Sequence, residues 1–95
     1  MNATESSFER IEKAVNNFGD TIREFRLKNN VSLQDMAEIV SLSASYIWRI
    51  ENSKRNPDLD MRVRILTLGM CWSTSDIHLY LERMIAKELM NKVSS

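Results

Sequence analysis

Apolar residues recur at helical spacing along nearly the whole chain. Phe8, Ile11, Val15 and Phe18 lie three or four residues apart, and no segment alternates apolar and polar residues with the period of two typical of strands. The pattern therefore predicts an all-α fold with a first helix over residues 5–17.

Capping residues, two glycines and one proline bound five further helices. Serine before an apolar run is a preferred N-cap, and asparagine or glycine commonly ends a helix. Either Ser73 or Ser75 is suited to cap the last helix, while Pro57 is suited to precede the fifth. The predicted helices span residues 19–29, 33–40, 43–52, 58–68 and 74–93.

The helices at 33–40 and 43–52 are short and are joined by about three residues, which is the spacing of a helix-turn-helix. This pair divides the chain into three parts. Residues 1–17 form an N-terminal flanking helix, residues 18–70 the helix-turn-helix domain, and residues 71–95 a C-terminal helix.

Three stretches carry a family resemblance: GDTIREFR at 19–26, SLQDMA at 32–37 and LSASYIWRIENSKRNP at 42–57. With them, the segment from Phe18 to Gly69 resembles the Xre or lambda-repressor-like helix-turn-helix regulators. The resemblance implies a five-helix DNA-binding core, here with additional N- and C-terminal helices.

The chain departs from the family pattern at three positions. Ser41 and Ser53 stand where the family often has glycine in left-handed backbone, which costs a non-glycine residue about 1–2 kcal/mol. Asn52 offers an alternative left-handed position after the fourth helix. Leu33 occupies a position where glutamine is frequent, and Gln34 follows it as a replacement contact.

The resemblance implies that the fourth helix enters the major groove of DNA with its N-terminal end toward the bases. Arg49 is the residue we expect to discriminate most, because a guanidinium donates two hydrogen bonds to guanine. Trp48 lies on the exposed side, along the sugar–phosphate backbone or against a second subunit. The expected base contacts are Ser43, Ala44, Ser45 and Arg49. The expected DNA backbone contacts are Ser32, Gln34, Trp48, Asn52, Lys54, Arg55 and Asn56.

Two charged residues are expected to act inside the protein. Arg26 and Glu51 occupy positions at which the family usually pairs an arginine of its first helix with a glutamate that ends the recognition helix. We interpret them as a structural ion pair. Arg62 and Arg64 lie on different faces of the fifth helix, and one of them is expected only to cover surface.

The last helix has an apolar face wider than a single packing seam needs. We expect this face to form a two-fold dimer that places two recognition helices about 34 Å apart on DNA. The alternative is that the flanking helices simply complete the core of the monomer. The expected dimer residues are Ile77, Tyr80, Leu81, Met84, Ile85 and Leu89.

Composition excludes several function classes. The sequence has no glycine-rich phosphate loop and no metal-ligand cluster, and Cys71 and His78 lack partners at catalytic spacing, so no enzyme, cofactor or metal is expected. We interpret Cys71 as a small buried side chain. One cysteine, no signal-peptide pattern and no membrane span predict a cytoplasmic protein.

The formal net charge of zero disfavours indiscriminate DNA binding, although residues 44–70 carry five basic and three acidic side chains. We therefore expect a homodimeric, sequence-specific regulator of bacterial, phage or plasmid type. It most resembles a repressor of transcription that binds double-stranded DNA, with a regulatory protein as a further partner. The alternative is a protein-interaction module of antitoxin or antirepressor type that binds its partner through the flanking helices.

Overall fold

The computed structural model describes residues 7–94, and within this range the chain forms six α-helices and no strand. The all-α prediction is confirmed. One turn of π-helix over Ile65–Gly69 extends the fifth helix. Residues 5 and 6 of the predicted first helix lie outside the described range. The helices are α1 (Ser7–Asn16), α2 (Phe18–Lys28), α3 (Leu33–Val40), α4 (Ala44–Glu51), α5 (Leu59–Arg64) and α6 (Thr74–Ser94).

Side-chain caps determine where four helices begin. Ser32, Ser43, Asp58 and Ser73 each accept a hydrogen bond from the backbone N–H three residues later, at 2.9 to 3.2 Å. Of the two serines suited to cap α6, Ser73 makes this bond. Asp58 is itself a cap and not the first helical residue. Local sequence therefore sets the register of the helices that build the site.

The turns around α4 keep the backbone conformation that the family satisfies with glycine. Ser41 has φ 60° and Ser53 has φ 58°, both in the left-handed region. Asn52 has φ −102°, so the sequence-based alternative that placed the left-handed residue there is wrong. Both turns therefore keep their geometry, although left-handed backbone at a serine costs conformational free energy.

One hydrophobic core joins the flanking helices to the central ones. Ile11 and Val15 of α1 belong to the same buried cluster as Ile47 of α4. Ile77 and Tyr80 of α6 also belong to it and are only 7% and 0% exposed. Their assignment to a dimer interface is therefore wrong, because side chains buried in the monomer are not available to a second subunit.

No helix within residues 7–94 is long and apolar enough to cross a membrane.

Candidate nucleic-acid interface

Helix α4 buries one face and presents the other to solvent. Ile47 and Ile50 point into the core and are 0% and 2% exposed. On the outward face, Ser45 and Arg49 are exposed, whereas Ala44 is half-buried and packs against the core. Because α4 has a single buried face, its exposed face is free to contact a ligand as large as duplex DNA.

An ion pair holds the C-terminal end of α4 against α2. The Arg26 guanidinium donates to the Glu51 carboxylate from Nε at 2.6 Å and from Nη2 at 2.9 Å. Its Nη1 donates to the backbone oxygen of Val31 at 3.0 Å. The hydrogen bond to Glu51 raises the pKa of Arg26 against the opposing effect of burial. This ion pair is largely buried and fixes the angle between α4 and α2.

Close backbone packing supports the same contact. Gly19 of α2 lies so near the last turn of α4 that an added Cβ would overlap the carbonyl oxygen of Ile50 and lie 3.1 Å from the Cα of Glu51. Only glycine allows this approach.

The side chain of Asn52 makes two hydrogen bonds within the protein. Its side-chain oxygen accepts a hydrogen bond from Arg23 Nη2 at 3.0 Å, and its side-chain nitrogen donates to the carbonyl of Trp48 at 2.9 Å. These bonds use one of the two N–H donors of the Asn52 amide and leave the other for a phosphate oxygen. Arg23, which the sequence analysis did not single out, joins α2 to α4 through Asn52 and lies 3.6 Å from the Glu51 carboxylate.

The loop that follows α4 carries two exposed basic residues, Lys54 and Arg55. Both backbone N–H groups donate to the carbonyl of Arg49, at 2.7 and 3.2 Å, so the loop folds back on the helix end. The Arg55 guanidinium lies over the ring of Tyr46, 5.3 Å from the ring centroid. This cation–π contact positions Arg55 beside the exposed face of α4.

Asn56 is exposed, and it also contacts a buried arginine. Its side-chain oxygen accepts a hydrogen bond from Arg62 Nη2. Arg62 is only 9% exposed and also donates to Pro57 O at 2.8 Å and to Tyr80 Oη at 3.1 Å. Sequence patterns do not indicate this buried arginine, because Tyr80 is 18 residues away and Pro57 supplies only a backbone oxygen.

The remaining predicted contacts are accessible. Helix α3 brings Ser32 and Gln34 to the surface at its N-terminal end, and Ser43 is exposed at the start of α4. The hydroxyl groups of both serines already accept a capping hydrogen bond. A hydroxyl that accepts one bond still has a donor for a phosphate oxygen.

The C-terminal half of α6 has an apolar surface different from the one predicted. Leu81 and Met84 are half-buried against the core, whereas Ile85 and Leu89 are 56% and 58% exposed. Met90 and Val93, which the prediction omitted, are 66% and 82% exposed. An outward apolar face therefore exists, and it lies on the side of α6 away from Ile77 and Tyr80.

Two other predictions concern metal and cysteine chemistry. Within residues 7–94, no group of three His, Cys, Asp or Glu side chains is arranged to hold a metal ion. Cys71 is exposed, with φ 58°, so the expectation that it is buried is wrong. It lies in the turn before α6, where the chain reverses at the surface.

A family model described as a helix-turn-helix domain matches residues 17–68. No curated protein and no solved structure matches the chain. The matched segment contains α2 to α5 with most of the π-helical turn, and thus every residue assigned above to the exposed face of α4 and its exit loop.

Proposed function

Since the chain belongs to the helix-turn-helix domain family, we propose that it is a sequence-specific DNA-binding regulator of the Xre or lambda-repressor-like type. The observation that carries the proposal is the asymmetry of α4. Its inner side is fixed by the Arg26 and Glu51 ion pair, while its outer side is free. A rigid helix with one exposed face suits insertion into a groove about 12 Å wide.

The small side chains Ser43, Ala44 and Ser45 allow the N-terminal end of α4 to approach base edges closely. Arg49, one turn later, is long enough to donate two hydrogen bonds to a guanine. Ser32, Gln34, Lys54 and Arg55 flank α4 and are proposed to contact phosphates, which fix the position of the helix but carry no sequence information.

We further propose that the protein binds as a homodimer. The proposed interface, or seam, consists of four apolar residues of α6 that are each more than half exposed. Ile85, Leu89 and Val93 are four residues apart, about one helical turn, and Met90 lies next to Leu89. Exposed apolar residues along one helix face are typical of an interface. A two-fold dimer would double the few base contacts that each copy offers, which matters because the net charge of zero adds little general attraction to DNA.

We propose that the protein represses transcription by occupying promoter DNA. A dimer that covers two half-sites within a promoter excludes RNA polymerase by steric overlap. We assign this role, in the cytoplasm of a bacterium or in cells carrying a phage or plasmid, by analogy with the regulators that the chain resembles.

The exposed seam of α6 also favours a second candidate function, a protein-interaction module that binds a partner protein through this face. The two functions predict different effects of substitutions in α4. An interaction module tolerates the loss of Arg49, whereas a DNA-binding protein does not.

The experiment is a selection of duplexes from a random-sequence pool, followed by fluorescence anisotropy with the enriched duplex at two salt concentrations. We expect Arg49→Ala to reduce the preference for the enriched duplex. Lys54→Ala and Arg55→Ala weaken binding to all duplexes and lower the salt slope by about one each. Lys28→Ala is the matched control, since Lys28 is exposed but borders a different groove, beside Arg10 and Trp72.

If no duplex is enriched, DNA binding is rejected. If a duplex is enriched but none of the three α4 and loop variants changes DNA affinity, binding through α4 is rejected. The dimer is tested separately by sedimentation of wild type and Leu89→Glu. Leu68→Glu is its control, because Leu68 is 56% exposed, close to the 58% of Leu89, but lies outside α6. A wild type that sediments as a monomer both free and on DNA contradicts the dimer.

A further inference from the structure

Trp48 is a large apolar side chain in the middle of the exposed face of α4. It is 47% exposed, whereas the other tryptophan, Trp72, is 8% exposed. In a helix of 3.6 residues per turn, Trp48 projects between the directions of Ala44 and Ser45, one turn earlier. The indole therefore points the same way as the residues that we propose to contact bases.

A hydrogen bond holds the backbone of Trp48, while nearly half of its side chain is exposed. The Trp48 carbonyl accepts the hydrogen bond from Asn52, which is itself held by Arg23. Among residues 7–94, no aromatic or cationic side chain stacks on the Trp48 indole. About half of the Trp48 surface is therefore in contact with water. Exposure of apolar surface to water is unfavourable, and a ligand that covers the indole would remove this cost.

Side-chain length along the exposed face of α4 changes in the direction that a major-groove contact requires. Ala44 and Ser45, near the N-terminal end, are short. Trp48 and Arg49, about 6 Å further along the axis, are long. A recognition helix places its N-terminal residues nearest the bases, so residues one turn later need longer side chains to reach them. Trp48 and Arg49 both satisfy this requirement.

We propose that Trp48 determines specificity by contacting the C5 methyl groups of thymines in the major groove, and not the sugar–phosphate backbone. This inference rests on the proposed DNA binding by α4. The thymine methyl is the apolar group that the major groove displays, and it is the natural partner for an exposed indole beside a guanine-binding arginine. The half-site preferred by the protein then holds thymine next to the guanine contacted by Arg49.

The experiment replaces each thymine of the enriched duplex in turn by deoxyuridine, which removes only the C5 methyl. We expect wild type to bind one or two of these duplexes about fourfold more weakly, the factor that corresponds to burial of one methyl group. Trp48→Ala binds the unmodified duplex more weakly and does not sense the same deoxyuridines. Arg49→Ala, the control, remains sensitive to them.

A second readout is intrinsic fluorescence. DNA should shift and quench the emission of wild type, and Trp48→Phe should lack this change while keeping the emission of buried Trp72. Circular dichroism melting of both Trp48 variants checks that they fold, and the deoxyuridine series on wild type needs no variant.

The outcomes separate this inference from the proposed function. Specific binding that is insensitive to every deoxyuridine, or a sensitivity that persists unchanged in Trp48→Ala, overturns the role of Trp48 and leaves DNA binding in place. Failure to enrich any duplex rejects both. Loss of sensitivity in Trp48→Ala but not in Arg49→Ala supports the methyl contact.

Discussion

Arg26 of α2 and Glu51 of α4 are 25 residues apart in the chain and form a two-point ion pair. Their side chains are only 12% and 1% exposed, so water contributes little to the solvation of either charge. An ion pair in such a site depends on both partners, because the charge left behind after removal of one stays buried without compensation.

Glu51→Gln and Arg26→Met should each lower the free energy of unfolding by about 3–5 kcal/mol, the range for breaking a buried pair. Urea denaturation monitored by circular dichroism measures this change. Arg23→Ala is the comparison, since Arg23 is 39% exposed and 3.6 Å from Glu51, and should cost about 1 kcal/mol or less. Equal losses for Arg23→Ala and Arg26→Met would contradict the distinct role assigned to Arg26.

The left-handed serines predict a gain in stability. Ser41→Gly and Ser53→Gly each remove strain of about 1–2 kcal/mol and add about 0.5–1 kcal/mol of backbone entropy loss, so each should raise the melting temperature slightly. Ser75→Gly, within the exposed first turn of α6, carries only the entropy cost and should lower it. If all three variants lower the melting temperature alike, the turns are not strained.

The contact of Arg55 with Tyr46 predicts an indirect effect on DNA affinity. Tyr46→Leu removes the ring under the guanidinium, so Arg55 must be ordered on binding, at a cost of about 0.5–1.5 kcal/mol. Affinity for all duplexes should fall by up to about tenfold in anisotropy titrations. In an Arg55→Ala background the same substitution should have little further effect; additive losses would show that Tyr46 acts in another way.

Tyr80 predicts the dependence of stability on alkaline pH. Burial raises the pKa of its phenol, partly offset by the hydrogen bond and charge of Arg62. The unfolded chain therefore releases this proton first, near the ordinary tyrosine value of about 10, and the free energy of unfolding falls as pH rises past that value. Below it, the contribution of Tyr80 is constant.

Tyr80→Phe is the control for this titration. Urea denaturation between neutral pH and about pH 11 should show a shallower alkaline decline for Tyr80→Phe than for wild type. The variant is also expected to be less stable at neutral pH by about 1–3 kcal/mol, because Arg62 Nη1 loses its acceptor. Parallel curves would mean that Tyr80 does not titrate differently in the two states.

The sequence predicted those features that depend on local spacing. Caps such as Ser32 and Ser43 act within three residues, so their roles are visible in the chain itself. Periodicity also indicates that α6 has an apolar side. It does not indicate what covers that side, and for this reason Ile77 and Tyr80 were assigned to a partner when they belong to the core of the monomer.

Polar side chains were harder to place, since their partners are distant along the chain. Asn52 is predicted to contact phosphate, and its bond to Arg23, 29 residues earlier, adds a structural role that no local pattern indicates. The sequence does not indicate which of Arg62 and Arg64 is buried; it is Arg62, which donates hydrogen bonds to Asn56, Pro57 and Tyr80. Its guanidinium also lies 4.9 Å from the ring centroid of Phe18.

The core that α1 and α6 share with the central helices has an evolutionary consequence. Ile11, Val15 and Tyr80 are buried in the same cluster as Met36 and Ile47, although the first three lie outside the segment matched by the family model. A recombination event that transferred residues 17–68 alone would leave behind α1 and α6. The core residues that these helices cover would then be exposed, and the chain would be prone to aggregate. We expect the exposed face of α4 to be inherited together with both flanking helices, as one unit of exchange between genes.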